Sequence, residues 1–407
     1  MSQTPLLAID GGKPTRETFL PYGRQWIEDD DIHAVVEVLK GDLITTGPVI
    51  EAFEQKLAQY VGAQYAVAFS SGTAALHAAC FVAGIRSGDE VITTPLTFAA
   101  TANCIRYQGA QPIFADIHPD TYNIDHAELD KKITPQTKAV IPVHFTGQPV
   151  QLDEIRQFAK KHRLVVIEDA AHALGAMYKG KKIGSDGDLT MFSFHPVKHI
   201  TTGEGGAITT NRRDYYEKLL QFRSHGITHK PDEIKEREGF WFYQMQFLGY
   251  NYRLTDIQAA LGLSQMKKLD RFLHLRRKYA SMYNEAFQSR REVVIPFQRN
   301  EVQSAWHLYV LRLRLSELTA DRKTIFQALR KENIGVNVHY IPVHLHPYYR
   351  QLGYSEGLCP QAEQFYRETL TIPLFPRMSE QDVQDVIQAV NKVLRYYSVG
   401  GVSNGRS

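Results

Sequence analysis

Lys198 is the residue whose surroundings in this sequence most clearly favour chemistry. It lies between the apolar run Phe192-Ser193-Phe194 and the glycine-rich turn Gly203-Glu204-Gly205-Gly206. A lysine amine becomes a useful nucleophile only when burial or nearby positive charge lowers its pKa, and His195 and His199 flank this lysine. Because most lysines are solvated surface charges, Lys198 indicates a site only together with other candidate residues.

A second candidate is the run Ser70-Ser71-Gly72-Thr73, which follows a predicted strand and opens a predicted helix. Small residues let an anion approach the backbone, and the N–H groups and dipole of a helix start attract negative charge. The run lacks the Gly-Lys-Ser/Thr of a nucleotide P-loop and the G-x-G-x-x-G of a dinucleotide site. It predicts a phosphate site, although an ordinary Ser or Thr helix cap has the same pattern.

A third candidate is Asp169, at the end of the apolar run Val165-Val166-Ile167-Glu168. Open α/β sheets bind ligands at the carboxyl ends of their strands, and the alternation of a strand points Glu168 to the opposite face. Taken singly, Asp169 could be a base, a metal ligand or a helix cap. A phosphate cradle, a strand-end acid and a reactive lysine together are what pyridoxal 5'-phosphate (PLP) requires, and we predict this cofactor.

Alternating strand and helix patterns indicate the elements that position these residues. Such an order is typical of an α/β fold whose mostly parallel sheet is covered by helices on both faces. The predicted strands are residues 65–69, 90–94, 111–115, 138–143, 164–168, 189–194 and 206–210. The predicted helices include residues 28–40, 72–84, 97–107 and 152–161.

The pattern changes after about residue 255, where a long helical stretch leads to a shorter strand–helix–strand set at 305–313, 322–331 and 335–338. We therefore predict a large cofactor-binding domain at 26–280 and a smaller C-terminal α/β domain at 281–399. An extended N-terminal segment at 1–25 and a flexible tail at 400–407 complete the chain.

Length and composition exclude several classes of protein. The 407 residues exceed one average domain, and contents of 43% hydrophobic and 22% charged residues are ordinary for a globular chain. The net charge of +3 is too small for a general nucleic-acid binder, and three scattered cysteines indicate neither disulfides nor a cysteine zinc site. No signal peptide or membrane segment is recognisable, so we expect a cytoplasmic protein.

Longer motifs give the chain a resemblance to the DegT/DnrJ/StrS family of sugar aminotransferases, from about residue 20 to residue 397. The resemblance implies the aspartate-aminotransferase-like (type I PLP) fold, with a seven-stranded sheet in the large domain. The motifs are PYGRQ at 21–25, TTGP at 45–48, SSGTAAL at 70–76, TPLTFAATAN at 94–103, EDAAHALGA at 168–176, FSFHPVKHITTGEGGA at 192–207, GYNYRLTDIQAALGLSQ at 249–265 and VNVHYIPVHLHPYY at 336–349.

The resemblance also implies roles for single residues. Lys198 would attach PLP covalently and transfer protons, and Asp169 would pair with the pyridine nitrogen. The other cofactor contacts would be Gly72, Thr73 and Ser193 at the phosphate, Phe98 on the ring, His172 in place of the glutamine of many relatives, and Asn251 from the neighbouring subunit. A homodimer with shared active sites is therefore expected. The expected substrate contacts are Tyr22, Arg24, Arg253, His339 and Tyr340, although either arginine could instead be in a structural ion pair.

His339, His344 and His346 lie within eight residues, but the spacing matches no zinc pattern and no Cys or acid completes a set. We expect a loop that faces the substrate and no metal.

The implied activity is transfer of an amino group from L-glutamate to the C4 ketone of a UDP-linked 4-keto-6-deoxy-N-acetylhexosamine, as in pseudaminic acid biosynthesis. Amination of another nucleotide 3- or 4-ketosugar is the alternative. A sugar 3-dehydratase of this fold carries histidine in place of the lysine, and a non-catalytic regulator would be expected to have lost it. A nicotinamide-dependent oxidoreductase would carry the glycine fingerprint, so the presence of Lys198 and the absence of that fingerprint disfavour these three classes.

Overall fold

The computed structural model of the protein describes residues 6–229, 232, 234 and 238–400. The flexible tail predicted for 400–407 therefore lies, apart from Gly400, outside the described residues.

The strands are β1 (Tyr65–Phe69), β2 (Glu90–Thr93), β3 (Gln111–Phe114), β4 (Thr137–Ile141), β5 (Val165–Asp169), β6 (Met177–Tyr178), β7 (Lys181–Lys182), β8 (Leu189–Ser193), β9 (Gly206–Thr210), β10 (Ile227–Thr228), β11 (Gln244–Met245), β12 (Val293–Val294), β13 (Val302–Gln303), β14 (Tyr309–Leu313) and β15 (Thr369–Ile372).

The α-helices cover the sheets and connect them. They are α1 (Asp29–Lys40), α2 (Pro48–Val61), α3 (Gly72–Val82), α4 (Ala100–Tyr107), α5 (Leu152–His162), α6 (Arg213–Phe222), α7 (Asp256–Met266), α8 (Leu269–Phe287), α9 (Arg322–Lys331), α10 (Pro347–Gln351), α11 (Pro360–Glu368) and α12 (Glu380–Tyr397). None of the helices in the described part of the chain, α8 included, is both long and apolar enough to cross a membrane.

The central sheet has seven strands in the order β1-β9-β8-β5-β4-β2-β3. The strands from β8 to β3 are parallel, and β9 is antiparallel to both of its neighbours. Helices α3, α4 and α6 pack their apolar residues on one face, and α2, α5 and α7 pack on the other. The predicted α/β fold with a mostly parallel, doubly covered sheet is confirmed, and the seven strands predicted for this sheet are present with ends that agree within two residues. The strand predicted at 305–313 is shorter and begins at Tyr309.

The C-terminal part forms a three-stranded antiparallel sheet in the order β12-β14-β15. The strand predicted at 335–338 is wrong, because this segment forms only single bridges: Ile334 with Leu20, and Asn337 with Thr371. A Cβ on Gly335 would lie 2.5 Å from the carbonyl oxygen of Leu20. The segment is therefore held between two different neighbours and does not continue along either of them.

The long helical stretch predicted after residue 255 is divided into α7 and α8. The first turns of α8 place Leu269, Phe272 and Leu273 in the core beside the central sheet, and its last turns place Tyr283 and Phe287 in the core of the C-terminal sheet. One continuous helix thus serves both cores. The domain boundary near residue 280 stays a prediction.

The N-terminal segment, which contains one short 3-10 helix at Ala8–Asp10, is anchored on Glu332. The buried carboxylate accepts hydrogen bonds from the Ala8 N–H at 2.9 Å, from the Thr15 N–H and hydroxyl at 2.8 Å, and from Lys392 Nζ at 2.8 Å. Burial alone would raise the pKa of Glu332, but these donors hold it below the ordinary value. The anchor fixes the chain just before Tyr22.

Replacing Glu332 by alanine should lower the free energy of unfolding by about 3 kcal/mol at pH 7, because Lys392 and two backbone N–H groups lose their partner. The loss should shrink below about pH 4.5, where protonation weakens the same interactions in the wild type. Urea unfolding at pH 7 and below about pH 4.5 measures the loss of stability. Glu128→Ala, which breaks an exposed pair with Lys131, is the control and should cost under about 1 kcal/mol. An equal loss in both variants would contradict the anchor.

Candidate active site

A cavity of about 660 Å³ opens where the carboxyl ends of β5 and β8 face the segment 337–340. Its wall includes most of the residues that the sequence predicted for cofactor and substrate. Those residues are Tyr22, Gly72, Thr73, Phe98, Asp169, Ser193, Lys198, His339 and Tyr340. The sequence thus identified side chains that are far apart along the chain and that the fold brings to one place.

The start of α3 forms one side of the cavity. Ser71 is its N-cap, and the Ser71 hydroxyl accepts a hydrogen bond from the Ala74 N–H at 3.1 Å. A Cβ on Gly72 would lie 3.2 Å from the Cβ of Ser193, and a Cβ on Gly206 would lie 2.6 Å from the Cα of Gly72. Glycine at these two positions therefore lets β8, β9 and the helix start meet. The arrangement leaves a helix N-terminus facing an open space, which suits an anion.

Asp169 is buried at the end of β5 and is held by two donors. The Thr101 hydroxyl donates to its Oδ2 at 2.7 Å, and the Ala171 N–H donates to its Oδ1 at 3.1 Å. Burial raises the pKa of Asp169, and Thr101 and Ala171 oppose that shift. Glu168 points away, as predicted, and bonds His144 at 3.0 Å and Arg156 at 3.1 Å.

Lys198 reaches the same cavity from the turn after β8. Burial lowers the pKa of its amine to about 8; the Asp169 carboxylate opposes this change and the Arg276 guanidinium adds to it. Such an amine is partly neutral near physiological pH, which a nucleophile or a base requires. The sequence expectation of a lysine with a lowered pKa agrees with this environment.

The opposite wall contains Tyr22, His339 and Tyr340, and Tyr340 bonds His172, which follows β5. The Tyr340 hydroxyl bonds His172 Nε2 at 3.1 Å, and His339 Nδ1 bonds the Thr371 hydroxyl at 2.8 Å. The ring of Tyr22 lies 5.4 Å from that of His339. Burial lowers the pKa of His339 to about 3 and that of His172 well below its ordinary value, so both rings are neutral at pH 7.

The three histidines near residue 340 do not cluster. His344 is buried and bonds Glu363 at 2.8 Å, whereas His339 faces the cavity. The segment therefore presents one histidine to the cavity and uses another to hold α11.

Four predicted residues lie outside the cavity wall of this chain: His172, which bonds the wall residue Tyr340, and Asn251, Arg253 and Arg24. Asn251 is exposed, although the backbone beside it adjoins the cradle, since the Ser70 N–H donates to the Tyr252 carbonyl at 2.8 Å. Arg253 is half-buried, and its Nε has no hydrogen-bond partner among the described residues. Arg24 is exposed and lines a narrow crevice that also contains Lys198. Neither arginine forms an ion pair within the described part of the chain.

Sequence reasoning missed Thr101, Glu204 and Asn337, which also line the cavity. Thr101 lies within the quoted motif TPLTFAATAN, four residues after Thr97, and the two hydroxyls are 2.7 Å apart. The i, i+4 spacing of two threonines at a helix start was the available signal. Glu204 and Asn337 had no comparable signal, because their position depends on how distant segments cross.

Replacing Thr101 by valine keeps the shape but leaves the Asp169 carboxylate without one donor, and we expect a loss of about 2 kcal/mol in stability at pH 8. Because burial already raises the pKa of Asp169, protonation at lower pH should remove the carboxylate charge that lacks its donor. The loss of stability in the valine variant should therefore be smaller at pH 5. Thermal unfolding of Thr101→Val and of the control Thr101→Ser measures it. A pH-independent loss, or an equal loss in the serine variant, would show that packing and not the hydrogen bond is responsible.

Comparison with known proteins gives the family. The model of the DegT/DnrJ/EryC1/StrS aminotransferase family matches residues 25–391. The spore coat polysaccharide biosynthesis protein SpsC of Bacillus subtilis is 44% identical over 382 residues, which are 93% of this chain and 98% of the relative.

Two further relatives act on, or are named for, amino sugars. The UDP-4-amino-4,6-dideoxy-N-acetyl-beta-L-altrosamine transaminase of Campylobacter jejuni is 38% identical over 94% of this chain and 99% of its own. The structure of Helicobacter pylori PseC, an aminotransferase of pseudaminic acid biosynthesis, is 34% identical over 93% of this chain and 99% of its own, with a TM-score of 0.86. The chain therefore belongs to the DegT/DnrJ/EryC1/StrS aminotransferase family and is a PLP-dependent sugar aminotransferase.

Proposed function

We propose that the cavity binds PLP and that the enzyme transfers the amino group of L-glutamate to the C4 ketone of a UDP-linked 4-keto-6-deoxy-N-acetylhexosamine. The observation that carries the proposal is Lys198, a half-buried side chain whose amine has a pKa lowered by desolvation to about 8 and which shares one cavity with Asp169 and the start of α3. This set of groups is the one that PLP chemistry requires.

The residues present fit the cofactor. The start of α3 together with Gly72, Thr73 and Ser193 would hold its phosphate, where added side chains at Gly72 would collide with Ser193. Asp169 would accept a hydrogen bond from the protonated ring nitrogen. Phe98, exposed at the cavity wall, would cover the ring. His172, a proposed cofactor contact, bonds the cavity residue Tyr340 through its Nε2, and its Nδ1 has no partner among the described residues.

Bound PLP supplies an electrophilic carbon for covalent attachment and a ring that stabilises negative charge at the carbon next to nitrogen. Lys198 would hold the cofactor covalently, and its free amine would take the proton from the α-carbon of glutamate. Asp169, which receives hydrogen bonds from the Thr101 hydroxyl and the Ala171 N–H, would pair with the protonated ring nitrogen. A correctly placed base of this kind contributes about 10²–10⁴-fold to the rate.

Two relatives support different sugars. The Campylobacter jejuni relative is named for an altrosamine that carries its amine at C4 and is linked to UDP, which supports the proposed substrate. SpsC is the more similar of the two, with 44% identity against 38%, and it is named for spore coat polysaccharide. Amination of another nucleotide 3- or 4-ketosugar is therefore the second candidate. Retention of Lys198 argues against a non-catalytic regulator.

The substrate contacts proposed are Tyr22, His339 and Tyr340 in the wall, with Arg24 at the crevice beside Lys198 and Arg253 near the cradle. Exposure of Asn251 beside its own cradle supports the proposal that it completes the phosphate site of a second subunit, in a homodimer with shared sites. The cytoplasmic location stays a prediction.

Incubation of the enzyme with L-glutamate and a panel of UDP- and dTDP-linked 3- and 4-ketosugars tests the substrate. We expect a mass change for ketone-to-amine conversion with the UDP-linked 4-ketosugar, and 2-oxoglutarate in equal amount. Comparison of the product with synthetic C3- and C4-amino standards identifies the position. Preference for a 3-ketosugar or for dTDP would select the second candidate.

Lys198→Ala should fold normally but fail to form 2-oxoglutarate from glutamate, with a loss of at least about 10³-fold, because attachment and proton transfer depend on one amine. Borohydride reduction of the loaded wild type followed by peptide mass spectrometry should locate the cofactor on Lys198. Lys181→Ala, at an exposed lysine paired with Asp186, is the control and should keep wild-type activity. Near wild-type turnover by the Lys198 variant would disprove the assignment.

Mixing Lys198→Ala chains with Asn251→Ala chains, each inactive alone, should restore about one quarter of the wild-type activity at equal amounts. Each mixed dimer would contain one intact site, formed by Lys198 of one chain and Asn251 of the other. Reversible unfolding of the mixture allows the chains to exchange. No recovery at any ratio would contradict shared sites.

A further inference from the structure

Arg276, in the middle of α8, is a buried cation without an acidic partner among the described residues. Its side chain is 1% exposed. One nitrogen, Nη1, donates to the carbonyls of Leu374 at 2.9 Å, His307 at 3.0 Å and Trp306 at 3.2 Å. Its Nε has no hydrogen-bond partner in the described part of the chain. Buried arginines are usually paired, since removing a guanidinium from water costs several kcal/mol.

Two of the carbonyls that Arg276 binds belong to the loop 304–308, which contacts His172 and His199, and these lie close along the chain to Asp169 and Lys198. The loop 304–308 places the ring of His307 4.4 Å from that of His172. In the same loop the Ala305 carbonyl accepts a hydrogen bond from His199 Nε2 at 3.1 Å, and His199 directly follows Lys198. Arg276 therefore fixes a loop that holds His199, the neighbour of Lys198, and that packs the His307 ring on His172.

Close packing keeps this loop against the central sheet. The His307 and Leu308 N–H groups donate to the Thr146 carbonyl at 2.8 and 3.2 Å. Gly147 has φ of +104°, and a Cβ there would lie 2.7 Å from the Trp306 nitrogen and 2.8 Å from the His172 carbonyl oxygen. The loop thus has little room to move away from the buried charge.

Several titratable groups surround the Lys198 amine. The sheet side presents Asp169 and His172, and the loop of Lys198 itself carries His195, His199 and Glu204. The opposite side presents His307, His339, Tyr340 and Arg276, with Tyr22 and Arg24 from the N-terminal segment.

Burial holds the pKa of His172, His199 and His307 well below the ordinary value and that of His339 at about 3. Burial also raises the pKa of Tyr340. These rings are neutral at pH 7, so the buried charges that act on the amine are Asp169, which attracts its proton, and Arg276, which repels it.

We propose that Arg276 is a positioning residue for Lys198: it fixes the loop 304–308 that holds His199, and its buried charge, which no described acid neutralises, acts on the Lys198 amine. This inference rests on the proposed function of Lys198. Removing the charge should therefore make the lysine nitrogen hold its proton to higher pH, whereas losing only the hydrogen bonds should not.

The visible absorbance of the PLP-loaded enzyme between pH 5 and 10 reports protonation of the nitrogen that carries the cofactor. Arg276→Met should move the midpoint of this transition up by about one pH unit, a tenfold change in the proton equilibrium. Arg276→Lys, which keeps the charge but loses the planar fork, should leave the midpoint within about 0.3 units of the wild type. Arg276→Gln, which keeps a donor for the carbonyls, should behave like Arg276→Met and replaces it if the methionine variant does not fold.

Arg277→Met is the matched control. This half-buried neighbour donates to the Ser304 carbonyl of the same loop, but the charges that affect the Lys198 amine are those of Asp169 and Arg276. Its midpoint should equal that of the wild type. An unchanged midpoint in the two neutral Arg276 variants, or an equal shift in Arg276→Lys, would overturn the inference. If the wild-type enzyme shows no cofactor absorbance, or if borohydride does not fix the cofactor on Lys198, the proposed function is refuted. The premise of the inference then fails with it.

Discussion

An ammonium and a carboxylate, Lys198 and Asp169, face one buried cavity, and much of the surrounding structure compensates for the cost of burying them. An ionised side chain taken out of water loses several kcal/mol unless hydrogen bonds or an opposite charge replace its hydration. Asp169 receives the Thr101 hydroxyl and the Ala171 N–H. Lys198 is compensated less completely, and its lowered pKa is the consequence. We attribute the proposed reactivity of the amine to this incomplete compensation.

Sheet topology explains why these groups meet. β5 and β8 are parallel, and β1 runs in the same direction because the antiparallel strand β9 separates it from β8. The three strands therefore end at one edge of the sheet, where they continue into the helix start at Gly72, into Asp169 and into the turn that carries Lys198. Parallel packing of strands thus converts three local motifs into one site, as in other open α/β sheets.

The segment 337–340, together with His172 after β5, forms a side of the site with a different character. His172 and His339 are buried and neutral, and they are hydrogen-bonded to Tyr340 and Thr371 respectively. A polar wall without net charge can orient a sugar or a cofactor oxygen and does not compete with Asp169 for the lysine. The wall is connected to the N-terminal segment, because Gly335 donates to the Leu20 carbonyl two residues before Tyr22. The Glu332 anchor is therefore connected to the cavity residue Tyr22 through Gly335 and Leu20.

Much of the site was determined by local sequence. Apolar runs specified the seven strands, and the residue types at their ends specified the cradle, Asp169 and Lys198, because strand ends and helix caps depend mainly on neighbouring residues. The segment 335–338 shows the opposite case: its β pattern is overridden by two separate backbone neighbours, Leu20 and Thr371. Only the tertiary structure decided that Thr101 bonds Asp169, that Asn251 lies outside its own cavity and that Arg276 has no described acidic partner. Those facts depend on which distant segments cross and how deeply they are buried, and neither periodicity nor motif spacing encodes that information.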